Sequence, residues 1–260
     1  MFNALRASSE RQVSAISGAS MAYSQLVSAL FGGFLSAYLG ASDYGVLNLA
    51  RTIFIVAVAI TPLGCDVALI RRLGSAAGEP EQMAGEVNWL RAISIALAAL
   101  LAGACLAGGA NALEASVFRY PHFGWTLAVT ALALPFASDM ALLYGACRGL
   151  RQPLPSVIAT YVLQPTVRMV LIAGLLLVMD RLPAAAVGTS VSYIAAGLFM
   201  MLVARRVFPA HTVRVPGAAA HARATLRFAP VLGAAMLATI FTRALDVISL
   251  GYFTASEDVG

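Results

Sequence analysis

"ATYVLQPTVRMVLIAGLLLVM", residues 159–179, sets a single arginine, Arg168, inside an apolar run with no acid beside it. What that arginine means depends on the solvent around the segment. An ordinary soluble domain carries about 25% charged residues. This chain of 260 residues carries 11%, is 60% hydrophobic and has a mean hydropathy of +0.83. So few charges cannot cover a water-facing surface of that size. The chain reads as an integral membrane protein, and the quoted stretch as one of its spans.

A helix needs about 20 residues to cross a bilayer core of roughly 30 Å. That ruler predicts seven spans, at about 14–39, 45–70, 87–109, 124–147, 155–178, 184–204 and 229–250. Short gaps rich in Gly, Pro, Asp and Arg separate them. Membrane barrels use alternating strands of about ten residues, and these runs are longer and do not alternate. The predicted fold is all-α, a polytopic transmembrane helix bundle. Arg6 and Arg11 precede the first run as they would in a signal peptide. That run is longer than the roughly 7–15 residues of a signal's apolar core, so it reads as a retained helix.

All basic residues are arginine, and the formal charge is +5. Cytoplasmic loops collect such residues. With the gaps taken alternately, one side holds Arg6, Arg11, Arg71, Arg72, Arg148, Arg151, Arg205, Arg206, Arg214, Arg223 and Arg227. The other side holds Arg119 and Arg181. This asymmetry predicts a cytoplasmic N-terminus, with residues 39–45, the 110–123 loop and the turn at Asp180 facing outward. The arginines form no basic polar domain, so a nucleic-acid partner is not expected. Cys65, Cys105 and Cys147 fall in separate apolar segments, and His122, His211 and His221 in gaps. Neither set has metal-ligand or catalytic spacing. No metal, cofactor or catalytic residue is expected.

Three units follow from this pass. Residues 1–206 read as a six-helix bundle. Residues 207–227 read as a cytoplasmic linker whose second half, with Arg223 and Arg227 four apart, forms a short basic helix on the membrane surface. Residues 228–260 carry one further span.

Within the spans, charge is expensive. Arg168 lies about 13 residues, or ~20 Å, into its helix. An arginine at that depth costs ~2.5–3.5 kcal/mol on insertion scales and usually faces a cavity or a partner. Tyr161, Gln164 and Arg168 share one helical face, beside Pro165. The seventh span gathers Thr239, Thr242, Arg243 and Asp246 in one arc, where Arg243 and Asp246 can also neutralise each other. The first span carries a stripe of Ser17, Ser20, Ser24 and Ser28. Asp139 follows Pro135 in the fourth, and is the candidate partner that would make Arg168 structural. In the second, Arg51 lies near the outer end and Asp66, one turn from Arg71, near the inner end; both positions also suit interface charges. Arg91, one turn into its helix, reads as a snorkelling side chain. Polar stripes on several helices hide from lipid by facing each other, which predicts a polar chamber in the bundle.

"LGASDYGVLNLARTIFIVAVAITPLGCDVALIRRLG" (39–74) and "RATLRFAPVLGAAMLATIFTRALDVISLGYFTASEDVG" (223–260) resemble the polysaccharide-biosynthesis flippases of the multidrug and oligosaccharidyl-lipid exporter superfamily. The shared features are an L-G-x-x-x-Y-G turn before a long apolar helix, an L-G near its inner end and a basic turn. Towards the end they are an F-x-P helix start, a mid-helix Asp and L-G-x-x before an acidic loop. The resemblance implies two bundles around a cavity that opens alternately to each side. This sequence would then supply the first bundle, the linker and the opening helix of a second that continues past Gly260. It implies a place in the bacterial cytoplasmic membrane, an undecaprenyl-pyrophosphate-linked oligosaccharide as cargo, and polysaccharide polymerase and glycosyltransferases as partners besides the lipid bilayer. Arginine suits such a cargo, because its planar fork of donors fits phosphate oxygens. Arg168, Arg243 and Arg51 would attract the head group, with Gln164, Tyr161, Thr239 and Thr242 along its path. A cation-coupled drug extruder of the same superfamily is the alternative; it would use Asp139, Asp246 and Asp66. A membrane glycosyltransferase or ligase is a third reading, opposed by the short outer loops.

Overall fold

The computed structural model describes residues 2–75, 80–208 and 215–253, and their side chains except at 2–12, 80, 243, 251 and 253. The described elements are helical. In chain order they are α1 (Phe2–Leu39), α2 (Ala41–Ile60), α3 (Cys65–Ser75), α4 (Glu81–Phe118), α5 (Phe123–Ala131), α6 (Leu134–Gly149), α7 (Leu154–Leu175), α8 (Arg181–Val207) and α9 (Ala218–Phe253). Five are long and apolar enough to cross a membrane: α2, α4, α7, α8 and the Ala218–Thr242 part of α9. The bent pair α5 and α6 makes a sixth if it is one span. The expected span at 14–39 lies inside α1, where a stripe of serines dilutes the apolar run.

Two expected spans are broken. Residues 45–70 divide at Thr61-Pro62-Leu63-Gly64, where Leu63 (φ 54°) and Gly64 (φ 76°) turn left-handed. Pro62 has no N–H to continue the ladder, and the chain re-enters a helix with the Cys65 N–H bonded to the Pro62 carbonyl (2.9 Å). Residues 124–147 bend by 50° at Leu132 and Ala133. Pro135, in the first turn of α6, leaves a carbonyl of the preceding turn unserved, and the Ala133 N–H bonds instead to Thr130 (3.1 Å).

Two connections differ from expectation. The 110–123 loop is helical as far as Phe118, and the reversal is confined to the few residues between left-handed Arg119 and left-handed His122. A kink at Gly108 (φ 115°) lets α4 change direction instead of ending. The basic segment 218–227 does not lie apart as a surface helix: it runs through Pro230 into the last span as one helix, α9.

α6 is the hub, packed against α3, α4 and α8. Its small residues permit this. A Cβ on Gly149 would fall 2.7 Å from the Leu69 carbonyl oxygen of α3, so the helices touch backbone to backbone. α9 crosses the α2–α3 break in the same way, with a Cβ on Gly64 only 2.9 Å from the Gly233 Cα. The arginine-rich end of α9 is tied down by polar groups. Arg72 bridges Glu86 (3.0 Å) and bonds the His221 ring (2.6 Å), while the Thr225 hydroxyl donates to Glu86 (2.5 Å). α8 packs along α7, and α1 lies along α7 from its start to its C-terminal half.

Candidate functional site

The quoted stretch forms most of α7, and Pro165 sits just after a π-helical turn, Ala159–Leu163. That turn takes up the residue whose hydrogen bond the proline removes. Arg168 follows one turn later and is buried, with 6% of its surface exposed. Its Nη2 donates to Ser28 Oγ of α1 at 3.4 Å, a long bond, and its Nε has no partner among the described residues. The Nε of Arg51 on α2 is in the same condition, buried and unpartnered among them. Both arginines line one cavity of about 60 Å³, with Ser28, Tyr44, Asn48 and Thr189. No described carboxylate lines it. Its volume admits a few waters and is too small for a sugar. Two like charges therefore share a small cavity without a counter-charge among the described residues.

Asp139 does not serve Arg168. It is fully buried on α6 and holds Arg91 of α4 in a bidentate pair, Nε to Oδ1 at 2.7 Å and Nη2 to Oδ2 at 2.8 Å. Arg91 also donates to Asn88 (3.2 Å), and Ser94 meets Ser138 (2.6 Å) one turn away. The snorkelling expected of Arg91 from its place near a helix end does not occur. Its side chain reaches across to a carboxylate 48 positions later, which sequence spacing does not reveal.

The expected chamber is divided. Gln164 is buried beside Arg168 on α7, but its amide donates to Ser192 of α8 (3.1 Å). Tyr161 lies in a second, open cleft with Tyr144, Arg148, Arg151, Ser14 and Ser17. Thr239 and Thr242 are exposed on α9 and donate to their own helix, to Ala235 (3.0 Å) and Ala238 (2.8 Å). Asp246 is exposed on the same helix, and the Arg243 side chain lies outside the described residues. Asp66 lines a cavity of about 150 Å³ between the α2–α3 break and α9. Of the expected constellation, the structure joins Arg168 and Arg51, keeps Gln164 adjacent, and sets the α9 residues apart.

Sequence reasoning uses Arg148 and Arg151 only as orientation markers and passes over Tyr144. A signal for the cleft exists in the spacing: Tyr144 and Arg148 are four apart, and their side chains stack (5.3 Å from guanidinium carbon to ring centre).

A family model described as polysaccharide biosynthesis protein matches residues 12–260. Neither a curated protein nor a solved structure matches the chain. The family match takes in both stretches whose motifs carry the resemblance, with all the helices between them, and the chain is a multi-pass membrane protein belonging to the polysaccharide biosynthesis protein family.

Proposed function

We propose that this protein moves a lipid-linked oligosaccharide, carried on undecaprenyl pyrophosphate, across the bacterial cytoplasmic membrane by alternating access. The observation that carries the reading is the cavity shared by Arg51 and Arg168. Two guanidinium groups with buried, idle Nε donors and no described acid between them form a site for an anion. A pyrophosphate supplies the missing negative charge and several acceptor oxygens. The serine, tyrosine and threonine around the arginines suit hydroxyl-rich sugars. Proteins of this family are transporters rather than enzymes, in keeping with a site that binds and releases.

A cavity of about 60 Å³ cannot hold the cargo, so the structure corresponds to a closed state in this scheme. The exposed polar arc of α9, with Thr239, Thr242 and Asp246, is unsuited to lipid. It would face a second bundle, and the breaks at 61–64 and 132–133 would be the bending points. Of the acids the cation-coupled alternative would use, Asp139 is occupied by Arg91, Asp246 is exposed on α9, and Asp66 lines a separate cavity away from the two arginines.

The test is complementation in cells lacking their own exporter of a lipid-linked glycan. The unmutated protein restores surface glycan. Arg168→Ala and Arg51→Ala, present at wild-type levels in the membrane, do not. Full surface glycan from Arg168→Ala would remove the assignment.

A further inference from the structure

Apart from the arginine cavity, an open cleft of about 690 Å³ lies between α1, the end of α6 and the start of α7. Arg148 and Arg151 stand exposed in its wall and form no ion pair among the described residues. Arg148 lies in the last turn of α6, where its charge complements the helix dipole. Arg151 also belongs to the arginine-rich side of the loops, but its backbone is unusual. It sits beyond the helix at φ 59°, in the turn closed by the Gln152 N–H to the Cys147 carbonyl (2.9 Å). Glycine takes that conformation freely, and a residue with a Cβ takes it under strain. A guanidinium is held here where backbone energetics favour its absence. Strained positions of this kind collect at binding sites.

The rest of the wall is suited to a particular kind of group. Tyr144 and Tyr161 present hydroxyls 3.5 Å apart, and Ser14 and Ser17 face them from α1. Met21 and Val157 supply apolar wall where a lipid chain would leave the head group. The cleft also leads inward. Tyr161 to Arg168 is ~10 Å along α7, and Ser17 to Ser28 is ~16 Å along α1. Both helices therefore run from this cleft to the Arg51–Arg168 cavity. Between the two places, the Tyr23 hydroxyl and Thr166 Oγ1 join α1 to α7 at 2.8 Å.

We propose that this cleft is the receiving site for the diphosphate of a lipid-linked head group, a first station from which the cargo passes to Arg168 and Arg51. Arg151 and Arg148 grip the phosphates, the tyrosines and serines meet the first sugar, and the Tyr23–Thr166 bond separates the two stations until the helices part. The nature of the cargo rests on the function proposed above; the site itself rests on the cleft.

The test uses the full chain in lipid nanodiscs and undecaprenyl diphosphate as the probe, with binding read by native mass spectrometry. Arg151→Gly is the decisive variant, because glycine suits the backbone there: Tm should hold or rise while affinity falls roughly tenfold, the loss of about one charge-assisted hydrogen bond. Arg148→Gln should weaken binding to a similar extent, and Arg205→Gln, at an exposed arginine in the last turn of α8 outside the cleft, should leave it near wild type. Inorganic pyrophosphate should displace the probe, and phosphatidylglycerol should not. Wild-type affinity in both Arg151→Gly and Arg148→Gln would overturn the site, as would a wild-type chain that binds no probe. Displacement by phosphatidylglycerol as readily as by pyrophosphate would assign the cleft to bulk anionic lipid and overturn its role in loading. If the function itself is wrong, the unmutated chain translocates no glycan while Arg151→Gly still loses the probe.

Discussion

Two arginines inside this bundle have opposite circumstances. Arg91 meets Asp139 in a two-pronged pair, with Asn88 and a Ser94–Ser138 contact around it. Arg168 has one long bond to Ser28 and a second arginine for company. Both lie in helices that pack on neighbours, and both would be costly to bury alone. The fold supplies the counter-charge in the first case, and among the described residues it supplies none in the second. Arg91 thus has a structural occupation, joining α4 to α6. Arg168 and Arg51 have no such occupation among the described residues, and the proposed function gives them one in the cargo.

The comparison is broken most forcefully from the paired side. Asp139→Ala leaves Arg91 without its carboxylate, and should cost about 3–5 kcal/mol. The expected result is a collapse of Tm in detergent or loss of the protein from the membrane. Replacing both partners, Arg91→Met with Asp139→Leu, should recover most of that loss, because two apolar side chains need no counter-charge. If the double variant is no more stable than Asp139→Ala, the pair is not an isolated clamp.

Smaller effects are expected where α9 crosses the break after α2. Gly64→Ala puts a Cβ against the Gly233 backbone at a left-handed position. A loss of about 1–3 kcal/mol is expected, read as a lower Tm. A tolerated alanine would mean that α9 is not fixed at this crossing.

On the unpaired side the sign reverses. Arg168→Met removes an uncompensated charge, so Tm should rise modestly, by the equivalent of about 1 kcal/mol, while glycan export is lost. A variant that loses stability would show Arg168 to be structural after all. The smallest change is expected at Thr239→Val. That hydroxyl is exposed and bonded to its own helix, so Tm should move by less than the equivalent of about 0.5 kcal/mol. A defect in export without loss of Tm would bring α9 back into the cargo's path.

The α-helical membrane fold is legible in the sequence because composition and run length are local properties. The breaks are marked too, by Pro62 and Pro135. Arg168 stands out for the same reason: its lack of a nearby acid is visible along the chain. The identity of partners does not show. Asp139 and Arg91 are 48 positions apart, and nothing in spacing says that α4 and α6 adjoin there. The continuation of α4 to Phe118 is hidden as well. The glycine pair Gly108-Gly109 reads as a helix end, whereas the chain kinks at Gly108 and stays helical. The cleft at Arg148 and Arg151 is obscured because a basic residue after a span already has an explanation in membrane orientation.

The central claim is that the charge of Arg51 and Arg168 is left open for an anionic cargo. Ser28→Asp tests it most directly, by placing a carboxylate where Arg168 now reaches a hydroxyl at 3.4 Å. The measurement is translocation of a fluorescent lipid-linked diphosphate glycan in proteoliposomes, with Tm recorded on the same preparation. The account predicts a raised Tm and translocation reduced to the protein-free background. Translocation at the wild-type rate with a raised Tm would contradict it.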